Sequence, residues 1–310
     1  MPKSSGNLLV GLLIALASAG AFGSSGALAK GLITAGWTPA AAVVWRVAIG
    51  AIALAVPAGL ALRGRWRSLG SGWASVVLFG VLAVAGCQLA FFQAVERLSV
   101  AVALLLEFSA GVLLVVMWHW LRRGRRPRSL TLLGSVIALA GLALVVDVFG
   151  AVSVDVVGVI WALAAGLGMA AYFVISEDES HGIPTIAVAA GGLLVGAIAL
   201  LLAAAVGILD LLFPPTTMLL AGLPVPWWWG VVALGVFAAA FAYGTGVAAV
   251  RHLGSKLASF VGLSEVIFAV GWAWLLLGEV PATVQLFGGA LIIIGVLVVR
   301  SDSQAEVDAS

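Results

Sequence analysis

Charge is scarce in this chain: Asp, Glu, Lys and Arg together make up 9% of its 310 residues, where soluble domains carry about 25%. So few ions cannot solvate a globular surface. A soluble fold is excluded, and with it the reading of the +2 net charge as a nucleic-acid footprint. Cysteine is nearly absent too. Cys87 stands alone inside an apolar run, which excludes a disulfide framework and a cysteine-based metal cluster. The three histidines, His119, His181 and His252, are far apart and near expected helix ends. No Walker A, G-x-S-x-G, H-E-x-x-H or C-x-x-C pattern occurs. No cofactor is implied.

What is there is apolar. Hydrophobic residues make up 63% of the chain, and the mean hydropathy is +1.22. The apolar runs are close to 20 residues rather than alternating ten-residue strands, so the fold class is an all-α membrane protein in a lipid bilayer. Breakers and charges divide the sequence into ten transmembrane helices, at about 8–29, 38–62, 73–95, 99–120, 130–149, 156–176, 184–208, 226–250, 255–277 and 281–299. The polar tail SDSQAEVDAS, 301–310, is expected to be disordered. Lys3, an apolar run and Ala27-Leu28-Ala29 have the outline of a cleaved signal peptide. The run from Leu8 to Ala29 is long for that role, and its loss would break the repeat described next. It is read as a retained first helix.

Lys and Arg set the orientation. One side collects Lys3, Arg63, Arg65, Arg67, Arg122, Arg123, Arg125, Arg126, Arg128, Arg251, Lys256 and Arg300. The other holds only Lys30 and Arg97. Both termini are therefore expected in the cytoplasm, with the protein in the plasma (inner) membrane. Trp37, Trp161 and Trp227-Trp228-Trp229 fall near one interface, and Trp66, Trp73, Trp118 and Trp120 near the other, as an aromatic belt. Trp45 lies deeper, beside Arg46.

The halves match one another. GVLAVAGCQLAFFQAVERL at 80–98 aligns without gaps to GVFAAAFAYGTGVAAVRHL at 235–253, with seven of nineteen positions identical. GAIAL recurs at 50–54 and 196–200, and Gly134 and Gly141 correspond to Gly288 and Gly295. The domains are thus a first five-helix repeat at 7–149 and a second at 155–300. An odd number of crossings per repeat makes the second copy enter from the opposite face, an inverted-topology repeat.

The segments RLSVAVALLLEFSAGVLLV and LSEVIFAVGWAWLLLGEVPATVQLFGGALIIIGVLVV, with LLLGE at Leu275–Glu279, resemble the last two helices of each repeat in the drug/metabolite transporter superfamily, as two EamA-type domains. VAVALLLEF and LAK at 28–30 also resemble the threonine/homoserine-exporter branch. The resemblance covers nearly all of residues 7–300. It implies a secondary transporter, typically an exporter of amino acids or other small metabolites and proton-coupled. The first half departs from the pattern: in place of LLLGE it has RRGRRPR.

The candidate site residues are the polar groups within spans. Glu107 is the one acid in a 22-residue apolar stretch, with Ala103, Ala110 and Gly111 one turn away; small residues admit a neighbouring helix or a ligand. A buried acid is costly unless it faces protein or water. It binds a substrate ammonium, cycles a proton, or is structural. Arg46 pairs with Glu107, meets a substrate carboxylate, or snorkels to the interface. Gln88 and Tyr243 are repeat equivalents. Glu265, matching Glu107, and Trp45, Tyr172, Gln93, Ser24 and Ser25 complete the set. Gly20, Gly23 and Gly26 in the first span are read as helix packing. The expected partners are a small-molecule substrate, a coupling proton and lipid. Competing classes are an intramembrane lipid-modifying enzyme and a non-transporting assembly protein.

Overall fold

In the computed structural model, residues 5–98, 100–123, 129–145, 155–278, 280 and 283–308 are described. Glu279 of the LLLGE motif, Asp147, Lys3 and the loop arginines Arg125, Arg126 and Arg128 lie outside them. Helices dominate: α1 (Ser5–Thr34), α2 (Pro39–Ala61), a short α3 (Trp66–Ser71), α4 (Trp73–Arg97), α5 (Val100–Arg123), α6 (Ser129–Val145), α7 (Val156–Glu177), α8 (Thr185–Ala205), α9 (Trp227–Leu253), α10 (Ser255–Leu277) and α11 (Thr283–Asp308). Among the described residues, seven helices are long and apolar enough to cross a membrane, in α1, α2, α4, α7, α8, α9 and α10. Two shorter apolar helices, Ser129–Leu144 and Leu286–Val299, lie within α6 and α11.

The helix ends follow local chemistry. Thr38 caps α2, its Oγ1 accepting from Ala41 N at 3.3 Å, with Pro39 as the first helical residue. Asp155 caps α7, Oδ1 accepting from Gly158 N at 2.9 Å. Gly254 at φ +81° and Gly278 at φ +73° end α9 and α10 in a conformation that costs a side chain energy. α11 runs on to Asp308, so residues 301–308 are helical where the composition suggested a disordered tail. A polar segment that continues an apolar helix gains from the helix already nucleated before it.

Two helices carry wide, π-type turns: Phe79–Gly86 inside α4 and Ala233–Phe241 inside α9. These stretches correspond in the repeat alignment. Such stretches shift the register of the side chains that follow them.

Small residues set how closely the helices approach. On Gly166 of α7, a Cβ would stand 2.6 Å from the Ala110 Cβ and 2.8 Å from the Glu107 carbonyl. The niche beside Glu107 is thus filled by another helix. In α1, a Cβ on Gly23 would meet the Glu265 carbonyl and Ala269 N at 2.9 Å. A Cβ on Gly141 of α6 would stand 2.6 Å from the Gly288 carbonyl of α11, and one on Gly295 would stand 2.7 Å from that of Gly134. The glycines matched between the halves therefore pack against one another.

The connection between α8 and α9 is more ordered than a loop. Its strands β1 (Thr217–Leu220) and β2 (Leu223–Pro226) pair antiparallel, Leu220 opposite Leu223. Ala221 and Gly222 turn the hairpin with φ of +51° and +74°. Met218 is buried against Gly31 and Gly230, and Ala221 N donates to Leu276 O at 2.6 Å. Before the hairpin, Thr38 Oγ1 donates to Asp210 O at 2.8 Å, and Trp37 Nε1 to Pro214 O at 3.0 Å. The strap so tied down crosses one end of the bundle. At the other end lie Arg122, Arg251 and Lys256, here called the basic end.

Candidate functional site

The site is built where α1, α2, α4, α5, α7, α9 and α10 converge. Arg46 of α2 is 2% exposed, which removes any route for snorkelling to an interface. Its Nη1 donates to Gln88 Oε1, and its Nη2 to the Ala238 carbonyl at 2.7 Å. Its guanidinium carbon lies 5.8 Å from the centre of the Phe22 ring, within cation–π range. Its Nε, also buried, has no partner.

From Arg46 the hydrogen bonds run onward. Gln88 Nε2 donates to the Tyr243 hydroxyl at 3.2 Å, and that hydroxyl donates to the Ala83 carbonyl at 3.2 Å. Ala83 and Ala238 are repeat equivalents, and each lies in a wide turn. A carbonyl oxygen has two lone pairs, so each can accept a side-chain bond beside a backbone one.

Glu107 is buried. The single S–H hydrogen of Cys87 has two acceptors in reach, Glu107 Oε1 and the Ala165 carbonyl, each 3.4 Å from Sγ. Glu265 is half-buried, and faces the same space from α10.

Three spaces that share lining residues adjoin here. The smallest, about 30 Å³, is lined by Arg46, Gln88, Glu107, Glu265, Phe22 and Ser25 among others. A cavity of about 90 Å³ shares Phe22, Gln88, Glu107 and Glu265 with it and extends past Tyr172, Tyr243 and Ser18. That volume holds a few water molecules. A vestibule of about 860 Å³ opens beyond Phe91, Leu104 and Ala269, which it shares with the smallest space, and reaches Lys30, Trp37, Thr38 and Glu96 at the strap end. Its wall is mostly apolar.

Seven of the candidate residues thus come together: Arg46, Gln88, Glu107, Tyr172, Tyr243, Glu265 and Ser25. Tyr172, Phe22 and Tyr243 meet edge to face, with ring centres 5.0 to 6.3 Å apart. Trp45 is elsewhere. It is half-buried and packs on Phe213 of the strap at 5.7 Å. The reason is helical periodicity: one residue from Arg46 is a turn of about 100°. Ser24 is buried and bonds its own helix, Oγ donating to Ala21 O at 2.7 Å. Its neighbour Ser25 lines the smallest space with a hydroxyl that has no partner. Gln93 is half-buried and lines none of the three spaces.

Cys87 and Phe22 were not expected here. A lone cysteine and one phenylalanine among thirteen carry no sequence signal. The placement of Cys87 beside Gln88, in the longest ungapped repeat alignment, is the nearest thing to one.

The EamA-like transporter family matches this chain twice, over residues 9–147 and 156–301. The uncharacterized transporter YwfM of Bacillus subtilis (strain 168) is 28% identical over 259 residues, spanning 82% of this chain and 84% of that protein. A solved crystal structure of a protein 24% identical in sequence superposes with a TM-score of 0.74, covering 94% of this chain and 96% of that one; it bears on the fold alone. An apolar helical bundle with a charged cavity at its centre, matched by the family along nearly its whole length, leads to one assignment: the chain belongs to the EamA-like transporter family.

Proposed function

We propose that this transporter is a secondary active exporter of amino acids or related small polar or amphipathic metabolites. It is a ten-crossing protein of two inverted five-helix repeats in the plasma membrane, with both termini in the cytoplasm. The orientation of the repeats is supported by two contacts. α1 begins at the basic end, where Gly11 abuts His252 and Leu253. α7, the first helix of the second repeat, begins at the other end, where Gly158 abuts Leu98 and Arg97. The basic end faces the cytoplasm by the excess of Lys and Arg.

The observation that carries the reading is the sharing of one buried space by Arg46, Glu107 and Glu265. One guanidinium opposite two carboxyls suits a substrate that bears both signs of charge, or a substrate carboxylate moving against protons. The unpartnered Arg46 Nε leaves a donor for such an anion. A buried ionisable group with no lipid contact is a default position for substrate or proton chemistry in a membrane span. The vestibule makes this state open toward the strap end, and alternation would open the basic end in turn.

The test is efflux from proteoliposomes holding purified protein and a panel of labelled amino acids, with and without a proton gradient. Gradient-dependent efflux of one or more of them is the expected result. Absence of movement for the whole panel in either direction, with protein shown to be folded, would refute amino-acid export.

A further inference from the structure

Away from the central site, at the basic end, three side chains from three helices meet. Ser255 Oγ, at the start of α10, donates to Glu177 Oε2 at the end of α7 at 2.6 Å. His119 Nε2, near the end of α5, lies 3.7 Å from the same carboxylate oxygen and 3.5 Å from Ser255 Oγ. Ser255 is fully buried. They adjoin a cleft of about 420 Å³ lined by Trp118, Arg122 and the acids 177–179.

The protonation pattern of His119 can be read from its other nitrogen. Nδ1 lies 3.0 Å from the Val115 carbonyl. A carbonyl only accepts, so Nδ1 carries a hydrogen. In the neutral ring Nε2 is then a bare lone pair. The single hydroxyl hydrogen of Ser255 is committed to Glu177 at the shorter distance. A neutral His119 therefore presents a lone pair to a carboxylate, which repels. The imidazolium carries hydrogen on both nitrogens and gives a charge-assisted contact instead. The end of a helix also favours a cation.

We propose that His119, Glu177 and Ser255 form a proton-operated latch that holds the basic end of the bundle shut when the imidazole is charged and loosens when it is neutral. This goes beyond the central site and rests on the alternating-access reading only for its consequence, the timing of opening toward the cytoplasm. The charged and titratable neighbours are Arg122 on α5, Glu177, Asp178 and Glu179 at the end of α7, His181 beside Asp178 in the loop that follows, Arg251 and His252 at the end of α9, and Lys256 on α10. Asp178 is held below the usual carboxylate range by the Ser180 N–H and hydroxyl, so it stays ionised throughout. Arg251 is engaged by the Ile183 carbonyl at 2.6 Å, and His252 Nδ1 by Ala248 O at 2.8 Å. Neither spans the gap between α5 and α7 as His119 does.

Hydrogen–deuterium exchange of the full chain in lipid nanodiscs tests the latch, with rates corrected for the intrinsic pH dependence of exchange. Peptides covering His119, Glu177 and Ser255 should exchange about three- to tenfold more slowly at about pH 5.5 than at about pH 8. His119→Gln and Glu177→Gln should each flatten that difference. Ser255→Ala keeps both charged partners and should retain it. A wild-type protein whose exchange here does not change with pH overturns the proposal, as does a pH response that survives His119→Gln. The readout needs no substrate. A failed latch beside intact efflux leaves the transport reading standing, and an intact latch beside failed efflux leaves the latch standing.

Discussion

Gln88 and Tyr243, 155 residues apart and equivalent in the repeat, touch: the amide of one donates to the hydroxyl of the other at 3.2 Å. The pair forms the middle of a chain from Arg46 to the Ala83 carbonyl. It joins α4 to α9, one helix from each half. A change in the relative tilt of these two helices would stretch or break it.

Tyr243→Phe removes the hydroxyl and nothing else. Gln88 Nε2 and the Ala83 carbonyl both lose a buried partner. The cost should be about 1–3 kcal/mol, read as a lowered melting temperature of detergent-purified protein. An unchanged melting temperature would show that water replaces the hydroxyl at no cost.

Arg46→Lys keeps the charge but not the fork that reaches both Gln88 and Ala238. A lysine offers a point charge and cannot bridge both acceptors in the same planar geometry. Substrate affinity should fall about tenfold or more. A KM equal to that of wild type would remove Arg46 from substrate contact and leave it a structural group.

Glu107→Gln keeps size and hydrogen bonding and loses the charge. Transport, or its response to pH, should be abolished while expression and melting behaviour stay close to wild type. Full transport with an unaltered pH response would exclude Glu107 from the mechanism. Glu265→Gln separates the two acids: loss in both variants means that both halves contribute a working carboxyl.

Gly166→Val tests the closeness of α5 and α7. The new side chain would start 2.6 Å from the Ala110 Cβ and 2.8 Å from the Glu107 backbone oxygen, so the helices must move apart. Overpacking of this kind costs about 1–3 kcal/mol. The expected readout is a lower melting temperature together with faster labelling of Cys87 by a small thiol reagent, because Cys87 of α4 is in contact with both helices, at Glu107 of α5 and the Ala165 carbonyl of α7.

Thr38→Val removes the cap of α2 and the bonds to Asp210 and Leu212 of the strap. Loss of a cap is worth about 1 kcal/mol. Limited proteolysis from the strap side should cut residues 206–226 several times faster than in wild type, with the bundle intact. An unchanged cleavage pattern would mean that the remaining contacts, among them those of Trp37, Met218 and Ala221, hold the strap without the Thr38 hydroxyl.

Much of the helical framework was legible because lipid requires it. Apolar runs near 20 residues and breakers such as Pro39, Gly254 and Gly278 place the ends, since a backbone polar group inside the bilayer must find its partner within its own helix. The isolated charges Arg46, Glu107 and Glu265 stood out for the same energetic reason. Trp45 did not join them, because adjacent helix positions point in different directions. The hairpin at 217–226 was missed because Ala221-Gly222 is a weak turn signal and the strands are only four residues each. The helical run through 301–308 was missed because composition ignores what precedes a segment.

The residues alone determined that this chain belongs in a membrane, that its halves are related, and which polar groups are too expensive to be accidental; each follows from transfer free energies that act one residue at a time. The folded bundle decided who meets whom. Arg46 bonds Gln88 rather than Glu107, Cys87 takes the acid, and His119 meets Glu177 and Ser255, because crossing distances set by Gly23, Gly111 and Gly166 and the wide turns at 79–86 and 233–241 fix where each side chain reaches. Those are relations among distant segments, and no local energy in the sequence specifies them.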